Sequence, residues 1–279
     1  ECYYYGLGVR KCLTTAVKWF RLAADQGDVV AQTNLGHCYE AGEGVEQDSV
    51  EAFRLYRLAA ERGDTDAQYF IGLFYYNGHA VEQNFDEAVK WFRLTAIDQG
   101  HPYAQTALGN CYALGYGVEQ NYGTAVKWYR LAAEQGIADA QYNLGDCYSQ
   151  GQGVEQNYEE AVKWFLVAAE QGHAEAQNAL GYCYENEKGV EKNDEEAVRW
   201  YRLAAEQGHE YAQCNLGDCY YHGEGVEQNY EEAVKWFRLS AEQGNALAQM
   251  MLSACYKYGK GVEQSDEEAA KWSRLAAGQ

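Results

Sequence analysis

The stretch Ala138–Gly172, ADAQYNLGDCYSQGQGVEQNYEEAVKWFLVAAEQG, decides how the chain is read, because variants of it recur from end to end. Within it Ala140, Leu144, Cys147 and Tyr148 fall at i, i+4, i+7 and i+8, one face of a helix. Gly151-Gln152-Gly153 breaks that helix, and Val154 is placed to anchor the turn in the core. Asn157 is expected as the N-cap of a second helix, with Glu160 completing a capping box. Ala161, Trp164, Phe165 and Ala168 form the buried stripe of this helix, and Gly172 ends it. Gly145 costs about 1 kcal/mol of helix propensity relative to alanine. Its recurrence at Gly36, Gly72, Gly109, Gly181 and Gly217 predicts a close approach by the neighbouring helix.

The Ala-Gln pair marks the period, at Ala31, Ala67, Ala104, Ala140, Ala176, Ala212 and Ala248, in steps of 36, 37, 36, 36, 36 and 36. All seven tryptophans keep the same count, and Leu55 takes their slot once. A fixed period in this range is the signature of a solenoid, in which each unit buries its open face against the next. The expected architecture is all-α: a single α/α solenoid domain over 1–279, with a partial repeat at 1–28. Seven helix-turn-helix repeats follow, at 29–64, 65–101, 102–137, 138–173, 174–209, 210–245 and 246–279. The chain opens without methionine inside a repeat, which predicts a fragment or a processed product. Neither end carries a polar capping helix, so either more repeats or a partner is expected there.

Two irregularities interrupt the period. One extra residue falls in Leu94–Gly100, before Pro102, the only proline, and is expected to be absorbed in an exposed turn. Glu187 replaces the first turn glycine of one repeat, a change expected to alter one loop and little else.

An apolar fraction of 47% argues against disorder. The net charge of −20 argues against a nucleic-acid backbone or an anionic membrane as the main partner. No apolar run approaches the roughly 20 residues that span a bilayer. Seven of the nine cysteines (Cys2, Cys38, Cys111, Cys147, Cys183, Cys219, Cys255) share one repeat position. Stacked helices hold equivalent positions roughly 10 Å apart, whereas a disulfide needs Cα atoms within about 7 Å. These thiols are therefore read as small buried apolar groups, which favours a reducing compartment such as the cytoplasm. Cys12 and Cys214 stand outside the pattern.

The pattern A-x-x-x-L-G-x-x-Y-x-x-G-x-G-V is carried by Ala140, Leu144, Gly145, Tyr148, Gly151, Gly153 and Val154. It continues as A-x-x-W-[FY]-x-x-A-A-x-x-G in Ala161, Trp164, Phe165, Ala168, Ala169 and Gly172. This resembles the Sel-one-like repeats, relatives of the tetratricopeptide repeats, and the resemblance covers essentially the whole chain. It implies a right-handed α/α superhelix that serves as a scaffold or adaptor for other proteins, with the first helix of each repeat lining the concave face. Some secreted bacterial members carry paired cysteines in each repeat; here there is one.

If the first helices line that face, the positions on them that fail to repeat are the candidate binding surface. Before the leading alanine these include Asp66, Tyr103, Asp139, Glu175 and Tyr211, and after the glutamine Tyr69 and Tyr142. Further along come Asp146, Tyr182 and Asp218, then Glu40, Tyr76, Glu185 and Tyr221. Carboxylates outnumber cations in these sets, and tyrosines give large contact area at low entropic cost. The expected partner is a protein or peptide segment with basic and apolar side chains. The alternatives are a structural module assembling end to end and, remotely, a hydrolytic enzyme.

No pattern in the sequence carries catalysis, a cofactor or a metal. His101, His173 and His209 follow helix-ending glycines in equivalent turns and read as turn residues, since repeats hold them too far apart to converge on one ion. The G-x-G turns join two helices and are not dinucleotide fingerprints, and no phosphate loop is present. Paired glutamates such as Glu159-Glu160 recur as helix caps, and Lys163 faces Glu159 at i, i+4 on a solvated surface.

Overall fold

The computed structural model describes residues 1–278, and among these it contains sixteen helices and no strand. A short α1 (Cys2–Tyr5) and α2 (Leu13–Asp25) come first. The next three repeats are the pairs α3 (Val29–Ala41) with α4 (Ser49–Ala60), α5 (Thr65–Asn77) with α6 (Phe85–Asp98), and α7 (Pro102–Leu114) with α8 (Tyr122–Glu134). Then follow α9 (Ala138–Gln150) with α10 (Tyr158–Glu170) and α11 (Ala174–Glu185) with α12 (Asp194–Glu206). The last are α13 (Glu210–His222) with α14 (Tyr230–Glu242) and α15 (Ala246–Tyr258) with α16 (Asp266–Ala277). The chain divides into two compact units, Glu1–Gln135 and Gly136–Gln279. Within each, every helix packs chiefly on its neighbours in sequence, the hallmark of an α/α solenoid.

Six of the seven pairs are closed by a glycine of the first helix; in α15 Ser253 takes that place and its hydroxyl donates to the Ala269 carbonyl at 2.7 Å. A Cβ added at Gly145 would lie 2.7 Å from Phe165 Cδ1, and at Gly109 2.5 Å from Tyr129 Cε1. No side chain fits there, so the expected close approach is met by the aromatic residue of the same repeat's second helix. The thiols behave as core: Cys147 and its equivalents from Cys38 onward are buried, all nine cysteines are free, and burial pushes the Cys147 thiol up to about 11. Cys214 is also buried, among Phe237 and Leu252. Cys12 occupies the N-cap position of α2. Trp164 is only half-buried, while Trp200 and Trp272 are buried.

Asn157 caps α10 as expected, its side chain accepting from Glu160 N–H at 3.0 Å. The reciprocal half of the capping box is absent: Asn157 N–H donates to the Tyr148 carbonyl, and the Glu160 carboxylate pairs with Lys163. The ion pair is thus at i, i+3 rather than the expected i, i+4. Successive helices are pinned by a partly buried glutamine ladder. Gln177 Nε2 donates to the Ala169 carbonyl at 3.1 Å, and its Oε1 accepts from Gln207 Nε2 at 2.7 Å. The same link joins Gln141 to Gln171 at 2.6 Å and, in the other unit, Gln105 to Gln135 at 2.8 Å.

The extra residue before Pro102 lies in the last turn of α6 and not in the loop beyond it, so that helix has 14 residues. The closing bond, His101 N–H to the Thr95 carbonyl, spans six residues where Asp64 to Ala59 spans five. At Glu187 helix α11 ends one residue early, after 12 residues, but the closing bond survives: the glutamate takes a left-handed φ of 55°, and Lys188 N–H still reaches the Cys183 carbonyl at 2.9 Å.

Candidate protein-interaction face

The variable first-helix residues are positioned by caps that the sequence alone did not assign. His101, His173 and His209 are the N-cap residues of α7, α11 and α13, their Nδ1 atoms accepting from Ala104, Ala176 and Ala212 N–H at 3.2, 3.2 and 3.1 Å. A neutral ring accepting at Nδ1 carries its proton on Nε2. That proton goes to a carboxylate of the preceding first helix, Asp66 of α5 for His101 at 3.2 Å and Asp139 of α9 for His173 at 3.1 Å. Tyr69 and Tyr142 lie against these two imidazoles, each with ring centroids 5.0 Å apart. Burial lowers the pKa of His209, against the pull of Glu175 and Glu210.

The remaining candidates divide by what they touch. Glu40 and Glu185 each accept the hydroxyl of a buried second-helix tyrosine, Tyr56 at 2.7 Å and Tyr201 at 2.8 Å. Asp146 accepts from Gln150 Nε2 at 2.7 Å. Asp218 is half-buried, which raises its pKa, and lies 3.4 Å from His222 Nε2. Tyr76 packs edge-on to Phe85, with centroids 5.4 Å apart. Glu175, Tyr103, Tyr182 and Tyr211 are exposed. Tyr221 holds a cation: Lys260 Nζ donates to its hydroxyl at 2.9 Å and sits 4.5 Å from its ring and 4.9 Å from that of Tyr230.

In the Glu1–Gln135 unit, three of the candidates, Asp66, Tyr69 and Tyr103, line one groove of about 600 Å³ with Tyr5, Asn34 and His101. Glu40 and Tyr76 lie outside its lining. In the Gly136–Gln279 unit Asp139, Tyr142 and Glu175 gather around His173, with Glu175 Oε2 3.4 Å from its Nδ1. The sequence signal for the histidine links was a spacing two residues short of one repeat, 35 residues from Asp66 to His101 and 34 from Asp139 to His173. Among the described residues no group of three or more His, Cys, Asp or Glu side chains is arranged to hold a metal ion. No helix there is long and apolar enough to cross a membrane. What the surface offers is carboxylates oriented by histidines that also pack against tyrosine rings.

The Sel1 repeat family matches the chain at residues 1–28, 29–64, 65–101, 102–137, 138–173, 174–209, 210–245 and 246–279. Among solved structures the chain is similar to c5321, a protective antigen of uropathogenic Escherichia coli strains displaying an SLR fold. That likeness has 40% identity and a TM-score of 0.83 over 94% of this chain and 56% of the antigen, so this chain spans little more than half its length. A Sel1 repeat protein from Oxalobacter formigenes is 35% identical with a TM-score of 0.78, over 88% of this chain and 96% of that one. Yeast Tom70, at 18% identity and a TM-score of 0.52 over 95% of this chain and 55% of its own, shares the fold alone. No curated protein matches. With its repeats matched from residue 1 to residue 279, the chain belongs to the Sel1 repeat family.

Proposed function

We propose that the chain is a non-catalytic interaction scaffold that holds a polypeptide segment with basic and apolar side chains on its first-helix side, the concave face expected of such repeats. The observation that carries this is how charge divides between the two helices of each repeat. The seven first helices from α3 to α15 contain eight carboxylates and one cation, Lys257. The seven second helices from α4 to α16 carry eighteen carboxylates but also thirteen cations, many joined in i, i+3 pairs: Arg54–Glu51, Lys90–Glu87, Lys163–Glu160, Arg199–Glu196, Lys235–Glu232 and Lys271–Glu268. The first helices thus present carboxylates with almost no cations beside them, next to exposed tyrosines, an arrangement that favours a basic partner in encounter and register.

The test is a panel of labelled peptides, basic–apolar, acidic–apolar and neutral–apolar, measured at low and high salt. Basic–apolar peptides should bind best, weaken with salt, and lose affinity to the variant Asp139→Asn/Asp146→Asn/Glu175→Gln. Equal binding of all three classes, indifferent to salt, would refute the charge-based reading. A second reading, end-to-end assembly, rests on Trp19, which is 58% exposed where the equivalent Trp200 and Trp272 are 6% and 7%. Light scattering distinguishes it: mass rising with concentration in the wild type, and not in Trp19→Gln, would support assembly.

A further inference from the structure

We propose that the groove between α1, α3, α5 and α7 is a receptor for one arginine side chain of the partner polypeptide. This rests on the scaffold reading above and adds to it an anchor residue and the pocket that takes it. The core of the pocket is Asp66, whose side chain is 71% exposed while one oxygen is held by His101 Nε2. The histidine cannot turn away, because its Nδ1 is fixed by Ala104 N–H and the ring is only 12% exposed. A single oriented donor uses one lone pair of the carboxylate and leaves its other acceptor sites open to a ligand.

Aromatic rings line the same groove as that carboxylate. Tyr69 and Tyr103 have centroids 6.2 Å apart with ring planes inclined by 34°, and Tyr103 and Tyr5 are 52% and 62% exposed. A guanidinium over such a face is attracted by the ring quadrupole within about 6 Å of the centroid. Phe70 and Leu73 line the same groove and supply apolar surface for a methylene stem. No lysine or arginine lines it, so the charge of Asp66 has no cationic side chain from the protein in the groove.

The protein already holds a cation by this means elsewhere. Lys260 lies over Tyr221 and Tyr230, and Lys188 lies 4.9 Å over Tyr158. The groove keeps the paired rings, lacks the internal lysine and adds a carboxylate. A guanidinium suits it better than an ammonium, because a planar cation stacks on rings and its five donors match Asp66, the Asn34 amide oxygen and the Thr33 hydroxyl.

The test titrates the full chain with Nα-acetyl-arginine N-methylamide, following backbone amide shifts by NMR, beside the citrulline and lysine analogues. The arginine probe should shift amides of α3, α5 and α7, and the neutral citrulline analogue should not. Asp66→Asn should weaken the probe about tenfold, as loss of a charged hydrogen-bond partner does, and Tyr103→Ala several-fold. Glu227→Gln, which removes an exposed carboxylate in the turn between α13 and α14, should change nothing. Equal binding of citrulline or lysine analogues, or indifference to Asp66→Asn, would overturn the assignment. Peptide binding by a protein whose groove ignores the arginine probe would overturn the groove alone and leave the scaffold reading intact. Probe binding without binding of any peptide would overturn the polypeptide part and the scaffold reading with it.

Discussion

Glu185 accepts the hydroxyl of Tyr201 at 2.8 Å, tying the first helix of a repeat to the second across its core. Phe92, Phe165 and Phe237 fill the same slot in other repeats; wherever a tyrosine replaces them, the first helix supplies an acceptor. Tyr56 finds Glu40 and Tyr129 finds Asn110. Burial and the adjacent carboxylate push the Tyr201 phenol far above its usual range, so it remains a donor. Glu185→Leu leaves that hydroxyl unpaired and should cost about 1–3 kcal/mol. Tyr201→Phe in the same background should restore most of the loss. Urea unfolding of the four proteins of this cycle measures the coupling, and a loss that Tyr201→Phe does not recover would show that Glu185 acts elsewhere.

The glutamine ladder has a gap where Arg62 replaces glutamine. Arg62 Nη1 reaches the Gly27 carbonyl at 2.6 Å, and the buried Gln32 Oε1 has no partner. In the equivalent place Gln243 Nε2 serves both the Gly208 carbonyl at 3.0 Å and Gln213 Oε1 at 2.8 Å. Arg62→Gln can make both bonds at once and should stabilise the Glu1–Gln135 unit by about 1 kcal/mol. Amide exchange at the α3–α4 repeat should slow accordingly, and unchanged or faster exchange would count against the ladder as a source of stability.

His209 gives the fold an acid-side weakness. Its ring caps α13 through Nδ1, and burial holds its pKa below the ordinary value, opposed by Glu175 and Glu210 and reinforced by His173. A lowered folded pKa means that the unfolded chain takes up the proton first. The contribution is therefore complete above about pH 6.5 and falls as the pH drops toward the folded value. His209→Asn keeps a cap acceptor without a titrating ring and should flatten the loss of stability between about pH 7 and 5. An unchanged slope would assign that loss to other groups.

The framework was legible because every repeat buries the same residues in the same place: Ala140, Leu144, Cys147 and Phe165 declare themselves by recurrence alone. Partners far apart in sequence were not. Asp66 with His101, Lys260 with Tyr221, and Gln207 with Gln177 are separated by 35, 39 and 30 residues. No helical or strand periodicity links such pairs, and only the packing of separate helices and turns does. Glu40 and Glu185 look like open groove carboxylates in sequence for the same reason, since the tyrosines they serve lie on the other helix. The groove is harder still, with walls drawn from four repeats and no shared motif.

Glu187 tests how far a side chain can replace glycine in the turn. The equivalent Gly151 has φ 70°, and Glu187 is driven to 55°, a left-handed conformation that costs an ordinary residue about 1–2 kcal/mol. The turn is nevertheless closed by the same bond from Lys188 N–H to the Cys183 carbonyl, so the neighbouring structure imposes the conformation and bears its cost. Glu187→Gly removes the steric penalty and regains chain entropy in the unfolded state, and these effects oppose each other. The net result should be a gain of about 0.5–1 kcal/mol. Glu187→Ala, which keeps a Cβ and drops the carboxylate, should give little of that gain. If alanine stabilises as much as glycine, the strain lies in the charge of Glu187 beside its acidic neighbours and not in its backbone.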